Sequence, residues 1–255
     1  MPAAAGLHYF FRDRSEAEPA LPVILLHGAG GMHLYWPPEM RRLAGRQTYA
    51  LDLPGHGQST GEGFRTIGEM TRAVLAWMDA LSLGRAVVVG HSMGGAVALE
   101  LALSAPQRVA GLGLVGSGAR LRVAPQILQL ASDPATAVDA VGLVIAWSFG
   151  PAAPPRLVEL AAARMAATPP AALLGDFQAC NGFDIGGRLA EIGVPTLALC
   201  GELDRMTPLR YSQFLAEQIP GATLQVIPEA GHMVMLEQPQ AVTAALETFL
   251  ASKNL

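Results

Sequence analysis

Charge is scarce in this chain. Asp, Glu, Lys and Arg make up 15% of its 255 residues, and the formal net charge is −4. Such a balance supplies no basic footprint for nucleic acid and no cationic run for an anionic membrane surface. Cysteine is scarcer still. Cys180 and Cys200 both lie in apolar surroundings, and neither is flanked by His or Cys at metal-ligand spacing. They read as small buried hydrophobes rather than a disulfide or a metal pair. The N-terminus lacks a basic segment leading into an apolar one, which argues against a secretory signal. The longest uncharged stretch, 140–155, is broken by Gly142, Gly150 and prolines. It is shorter than the roughly 20 apolar residues that span a bilayer. No internal repeat or low-complexity tail is evident. The expectation is a soluble cytoplasmic protein with a small-molecule substrate and neither nucleic acid nor membrane as partner.

Apolar material is abundant, at 51% of the residues, enough for a sheet buried on both faces. Short β-rich runs alternate with helical spacings, the signature of a mostly parallel sheet with helices on both sides. Strands are expected at 7–12, 22–26, 48–51, 86–89, 111–115, 194–200 and 223–227, about seven in all, with a polar turn at 13–19 joining the first two. Helices are expected at 66–81, after 92, at 208–218 and at 239–251. Between about 118 and 192 the rhythm stops. Prolines at 125, 134, 151, 154, 155, 169 and 170 cut this segment into short helices, such as 135–146 and 156–167. It is longer than one crossover requires, so it reads as a helical cap (118–192) over a core formed by 1–117 and 193–255.

Chemistry concentrates at the ends of the expected strands. Gly90-His91-Ser92-Met93-Gly94 stands between an apolar run and a small-residue helix. A Gly-x-Ser-x-Gly in that setting lifts a hydroxyl above the sheet edge as a nucleophile. Such a serine needs a base and an acid to orient the base, in the chain order Ser, acid, His. Asp204 follows the strand at 194–200 and His232 follows the strand at 223–227, which is the required order. In these roles His232 takes the Ser92 proton and Asp204 holds the imidazole in one tautomer. Glu202 is a competing orienter. Gly28-Ala29-Gly30-Gly31 brings backbone close to a ligand, so the Ala29 and Met93 N–H groups are the expected oxyanion donors. Among the other histidines, His27 is expected to order the glycine loop, His91 to pack under the elbow, and His56 to be solvated. His8 and His33 carry no pattern.

These motifs together resemble the α/β-hydrolase superfamily, specifically its compact members with a helical cap. The resemblance rests on Leu-Leu-His-Gly-Ala-Gly-Gly (25–31), Asp-Leu-Pro-Gly-His-Gly-Gln-Ser (52–59) and Gly-His-Ser-Met-Gly-Gly (90–95). It extends to Val-Pro-Thr-Leu-Ala-Leu-Cys-Gly-Glu-Leu-Asp (194–204) and Ala-Gly-His-Met-Val-Met-Leu-Glu-Gln-Pro (230–239). It implies the α/β-hydrolase fold and a serine hydrolase that needs no cofactor or metal. Ser92, where dehalogenases and epoxide hydrolases of the superfamily carry Asp, disfavours those activities. Esterases, enol-lactonases, C–C bond hydrolases and a menaquinone-pathway synthase share these stretches. The cap offers Trp147, Phe149 and Phe177 as apolar substrate contacts beside Gly28, and no evident Arg or Lys cluster to grip a carboxylate, although Arg120, Arg122, Arg156, Arg164 and Arg188 lie in or beside it. The expectation is therefore a carboxylesterase acting on small to medium, largely apolar esters. The alternatives are a C–C hydrolase, an enol-lactonase or a synthase-like lyase, and further off a non-catalytic ligand-binding protein.

Overall fold

In the computed structural model, which describes residues 2–15 and 20–255, eight strands form one sheet. They are β1 (Ala3–Ala4), β2 (Leu7–Asp13), β3 (Val23–Leu26), β4 (Gln47–Leu51), β5 (Ala86–His91), β6 (Val109–Val115), β7 (Thr196–Gly201) and β8 (Thr223–Ile227). Their order is β1-β2-β4-β3-β5-β6-β7-β8. β1 and β2 are antiparallel to their neighbours, and every pairing from β4 through β8 is parallel. The eighth strand is β1, a two-residue pairing too short to leave a pattern in the sequence. The expected 13–19 turn lies partly outside the described residues; Asp13 itself ends β2.

Helices α1 (Ile67–Ala80), α2 (Met93–Ser104), α7 (Arg210–Gln218) and α9 (Pro239–Ser252) cover the sheet. Between β6 and β7 lie α3 (Pro125–Ala131), α4 (Ala137–Ser148), α5 (Pro155–Ala166) and α6 (Pro170–Gly182), while the four-residue α8 (Val234–Glu237) follows β8. The strand pleat sorts the core into two layers. Ile24, Leu26, Val88, Leu112 and Ala198 pack with α1 and α2, whereas Val23, Leu25, Val87, Val89 and Leu199 pack with α9. Burial on both faces explains why β3 and β5 read as continuous apolar runs rather than alternating ones. The inserted helices keep a core of their own, centred on Ile127, Val141, Val144, Met165, Leu173 and Phe177. Among the described residues, no single helix is long and apolar enough to cross a membrane.

The parallel strands deliver their carboxyl ends to one edge of the sheet, beneath the inserted helices. Open α/β sheets bind ligands at that edge. Asp52, just past β4, braces it. Its two oxygens accept from the His33 N–H at 2.7 Å, His33 Nδ1 at 2.9 Å, His8 Nδ1 at 2.7 Å and the Gln58 N–H at 3.1 Å. Burial opposes its charge, yet the two His33 donors, with the His33 and His27 rings nearby, hold its carboxyl well below the usual range. Two imidazoles and a carboxylate are a possible ligand set for a metal. With four N–H groups already on the carboxylate, the cluster serves as a hydrogen-bond hub.

Candidate active site

The chain turns from β5 into α2 through one residue. Ser92 has φ +52° and ψ −115°, a left-handed backbone that only a sharp, over-determined turn imposes on a non-glycine residue. The flanking glycines are demanded by close approach. A Cβ on Gly90 would overlap the Gly94 carbonyl, and one on Gly94 would overlap the carbonyls of Leu26 and His27. The Ser92 carbonyl accepts from Ser117 Oγ at 2.8 Å, which fixes the turn from β6. Because Met93 opens α2, its N–H has no partner within the helix.

His232 lies on the loop between β8 and α8. Its Nδ1 is 2.8 Å from Asp204 Oδ2, and both side chains are buried. Asp204 also accepts from the Met206 and Thr207 N–H groups and from Thr207 Oγ1, each at 2.8 Å. Burial alone would raise its pKa, but His232 and the Thr207 donors outweigh it, so the carboxyl sits below its ordinary value. A charged carboxylate only accepts, so Nδ1 of His232 carries the proton and Nε2 is left with its lone pair. His91 donates Nε2–H to the His232 carbonyl at 3.0 Å, tying the elbow to this loop. Buried and beside His232, its pKa is driven down to about 3, and it stays neutral. Glu202 does not share the orienting position. It is exposed, and its carboxylate reaches only the Glu229 N–H, at 3.4 Å.

The glycine turn forms the opposite wall. Its closing bond runs from the Gly31 N–H to the Gly28 carbonyl at 3.0 Å. His27 orders it as expected, donating Nδ1–H to the Gly28 carbonyl at 2.8 Å and accepting the Leu53 N–H on Nε2 at 2.9 Å. Gly28 is pressed against the elbow, where a Cβ would stand 3.1 Å from Ser92 Cβ. Among the described residues the Ala29 N–H donates to no protein group. Gly30 donates its N–H to Asp176 Oδ2 at 2.8 Å. His56, expected in solvent, is instead 1% exposed, with Nε2 2.8 Å from that same oxygen. The short 52–59 turn runs beneath α6, which supplies an acidic partner that no local pattern reveals.

A cavity of about 370 Å³ lies between the walls, lined by Ser92, His232, Gly28, Ala29, Trp147, Phe177, Met165 and Thr207, among others. Phe149 is not among its lining residues. It packs in the seam between the second sheet layer and the inserted helices, because the chain leaves α4 there and turns away. Arg122, one of the arginines beside the inserted helices, and Arg205 both line the cavity, and among the described residues no acidic side chain does. Thr207, Asp176 and Glu237 were also missed. Thr207 bonds Asp204 three residues earlier, whereas Asp176 and Glu237 hold backbone groups on loops distant in the chain.

A family model for the α/β hydrolase fold matches residues 22–239. The chain belongs to the α/β-hydrolase fold family. It is 34% identical to a putative carbamate hydrolase, RutD, of Azorhizobium caulinodans, over 89% of this chain and 90% of that protein. It is 33% identical to a dihydrolipoyllysine-residue acetyltransferase component of the acetoin cleaving system of Pseudomonas putida, over 91% of this chain. The matched region spans 64% of that longer relative. Among solved structures, a thermophilic esterase from Thermogutta terrifontis superposes with a TM-score of 0.87 at 26% identity, covering 98% of this chain and 95% of that one. Hydrolase family membership, a mostly parallel sheet and helices on both faces agree with the expectation from sequence, and β1 brings the expected seven or so strands to eight.

Proposed function

We propose that this α/β hydrolase is a serine esterase that works through an acyl-enzyme on small to medium carboxylic esters. One observation carries the reading: the left-handed Ser92 turn opens into the same cavity as His232, whose Nδ1 is held by Asp204 at 2.8 Å. In this mechanism Nε2 of His232 removes the Ser92 proton as Oγ attacks the ester carbonyl. Charge develops on the carbonyl oxygen and is met by the Ala29 and Met93 N–H groups, neither of which donates to a protein group among the described residues. The imidazolium then protonates the departing alkoxide. Water repeats the sequence in reverse and releases the acid. The esterase-like neighbour and the carbamate-hydrolase relative support acyl transfer from a carbonyl centre. Trp147, Phe177 and Met165 supply an apolar seat for the acyl or alcohol group.

A second reading concerns the substrate's charge. Arg122 and Arg205, on a lining that has no carboxylate among the described residues, favour an ester or lactone that carries its own carboxylate, as the enol-lactonase alternative requires.

The experiment is a panel of p-nitrophenyl esters, neutral and carboxylated, run on the wild type and on Ser92→Ala. Turnover by the wild type that falls on the order of 10⁴-fold or more in Ser92→Ala is expected. A wild type inert to the whole panel, and unlabelled at Ser92 by an organophosphonate, rejects the reading. A kcat/KM preference for the carboxylated esters that disappears when Arg122 and Arg205 are replaced decides for the second form.

A further inference from the structure

Asp176 takes no part in the chemistry above, yet it is a fully buried acid on an otherwise apolar face of α6. We propose that Asp176 is a positioning residue that fixes the glycine turn, and with it the oxyanion-binding Ala29 N–H, from within the inserted helices. This rests on the acyl-transfer reading.

Three observations meet at Gly30. Asp176 Oδ2 accepts the Gly30 N–H at 2.8 Å. Thr168, just after α5, donates Oγ1–H to the Gly30 carbonyl at 3.2 Å, so both polar groups of residue 30 are held by the insertion. Gly30 has φ +61°, and a Cβ there would come within 2.9 Å of Met165 and Leu173, so the insertion closes over the turn without room for a side chain. The holding oxygen is also anchored. His56 Nε2 lies 2.8 Å from it and His56 Nδ1 lies 3.0 Å from the Pro54 carbonyl. Both ring nitrogens face atoms that only accept, so the ring carries two protons and pairs with Asp176 as a cation.

The turn needs this hold. Its internal bond, from the Gly31 N–H to the Gly28 carbonyl, survives rotation of the central peptide between Ala29 and Gly30, because the common turn types differ mainly by that rotation. Glycine at position 30 removes the steric barrier that would otherwise choose between them. The Asp176 carboxylate makes the choice. It attracts the Gly30 N–H and would repel the Ala29 carbonyl that a flipped peptide presents; the Ala29 N–H lies in the preceding peptide, so the hold on Gly30 governs that donor by fixing where residue 29 sits rather than through the flip itself. Phe177, next in sequence, and Met165 line the cavity, so the helices that touch a bound acyl group also set the turn.

The test compares Asp176→Asn and Thr168→Val with the wild type on a p-nitrophenyl ester, with active sites counted by end-point phosphonate labelling. Misdirecting one oxyanion donor lowers kcat per labelled site on the order of 10- to 100-fold in Asp176→Asn, with KM within about threefold. Thr168→Val releases the other polar group of the same residue, the Gly30 carbonyl, and lowers kcat by about threefold to tenfold. A purely structural role predicts fewer labelled sites and a lower melting temperature with unchanged kcat per site, and that result overturns the proposal. Where Asp176→Asn does not fold, Thr168→Val decides by the same criterion. An active wild type with unimpaired variants rejects the positioning role alone, while a wild type that neither turns over esters nor labels at Ser92 rejects both readings.

Discussion

The wall that carries His232 is fixed from within the sheet, whereas the wall that carries the glycine turn is fixed by helices inserted between β6 and β7. Asp204, Thr207 and His91 all leave core strands and converge on His232 or its carbonyl. The glycine turn has core support from His27, but both polar groups of Gly30 depend on Asp176 and Thr168, more than 130 positions away. The two walls therefore divide the work differently. One can be held without reference to a substrate. In the proposed mechanism the other is set by elements that a bound acyl group touches, so the insertion would couple what fits in the cavity to how well charge is stabilised there.

Removing the orienting charge on the core-built wall has the largest expected effect. Asp204→Asn keeps the volume but substitutes an amide for a carboxylate that accepts four hydrogen bonds. The amide can donate to Nδ1 of His232, which then places its proton on Nε2 and cannot act as base. In the proposed mechanism kcat falls on the order of 10³- to 10⁴-fold with little change in KM. Steady-state kinetics with an activated ester measure this. A loss smaller than that of Asp176→Asn would show that the glycine turn, not the His232 wall, limits the chemistry.

The walls also differ in how protons act on them. His27 and His91 are buried, and burial first, then a neighbouring histidine, drives their pKa values down to about 4 and about 3. An unfolded histidine binds its proton near pH 6.5, so below that pH the unfolded chain takes up protons that the folded one refuses. Stability therefore falls as pH drops from about 6.5 towards about 4 for His27 and about 3 for His91, by up to about 1.4 kcal/mol per pH unit for each ring. His56 behaves in the opposite sense. Burial would lower its pKa, but Asp176 outweighs burial and the value is raised. Its contribution is complete below about pH 6.5 and is lost as pH rises through the folded-state value. Melting curves should thus show an acid limb in every variant, and an alkaline limb that His56→Asn and Asp176→Asn flatten. An alkaline limb that persists in both variants would dissolve the ion pair as its cause.

The same division explains what could be read from the sequence. Strands such as β5 and β7 announce themselves by β-branched and apolar runs, and Ser92, Asp204 and His232 each follow one, so their order along the chain carried information. The insertion gave less. α6 is apolar on nearly every face, so it shows no period, and Pro170 at its first position reads as a breaker although a helix tolerates proline there. Asp176 contacts Gly30 across 146 positions, and no local pattern encodes such a pair. One signal was present: Leu173, Ala172, Ala179 and Cys180, at helical spacing on either side of Asp176, are all apolar, which places an acid on a buried face. Such an acid requires a partner. Phe149 misled in the opposite way, since an apolar residue fits a seam as well as a cavity.

The smallest expected effect probes a joint between the insertion and the loop that carries His232. Glu237 accepts the Gly150 N–H at 2.7 Å on one oxygen and the Gly231 N–H at 3.0 Å on the other, so it ties the insertion to the residue before His232. Burial raises its pKa against these two bonds, which means that charge at this position is costly. Glu237→Gln gives up one of the two bonds but relieves that cost. The expected result is a loss of about 1 kcal/mol or less in chemical denaturation, with kcat per labelled site within about threefold of the wild type. His232 keeps Asp204 and His91 in this variant, so its geometry has no reason to change. If Glu237→Gln instead lowered kcat as much as Asp176→Asn, the His232 wall would depend on the insertion as the glycine turn does, and the distinction between the walls would fail.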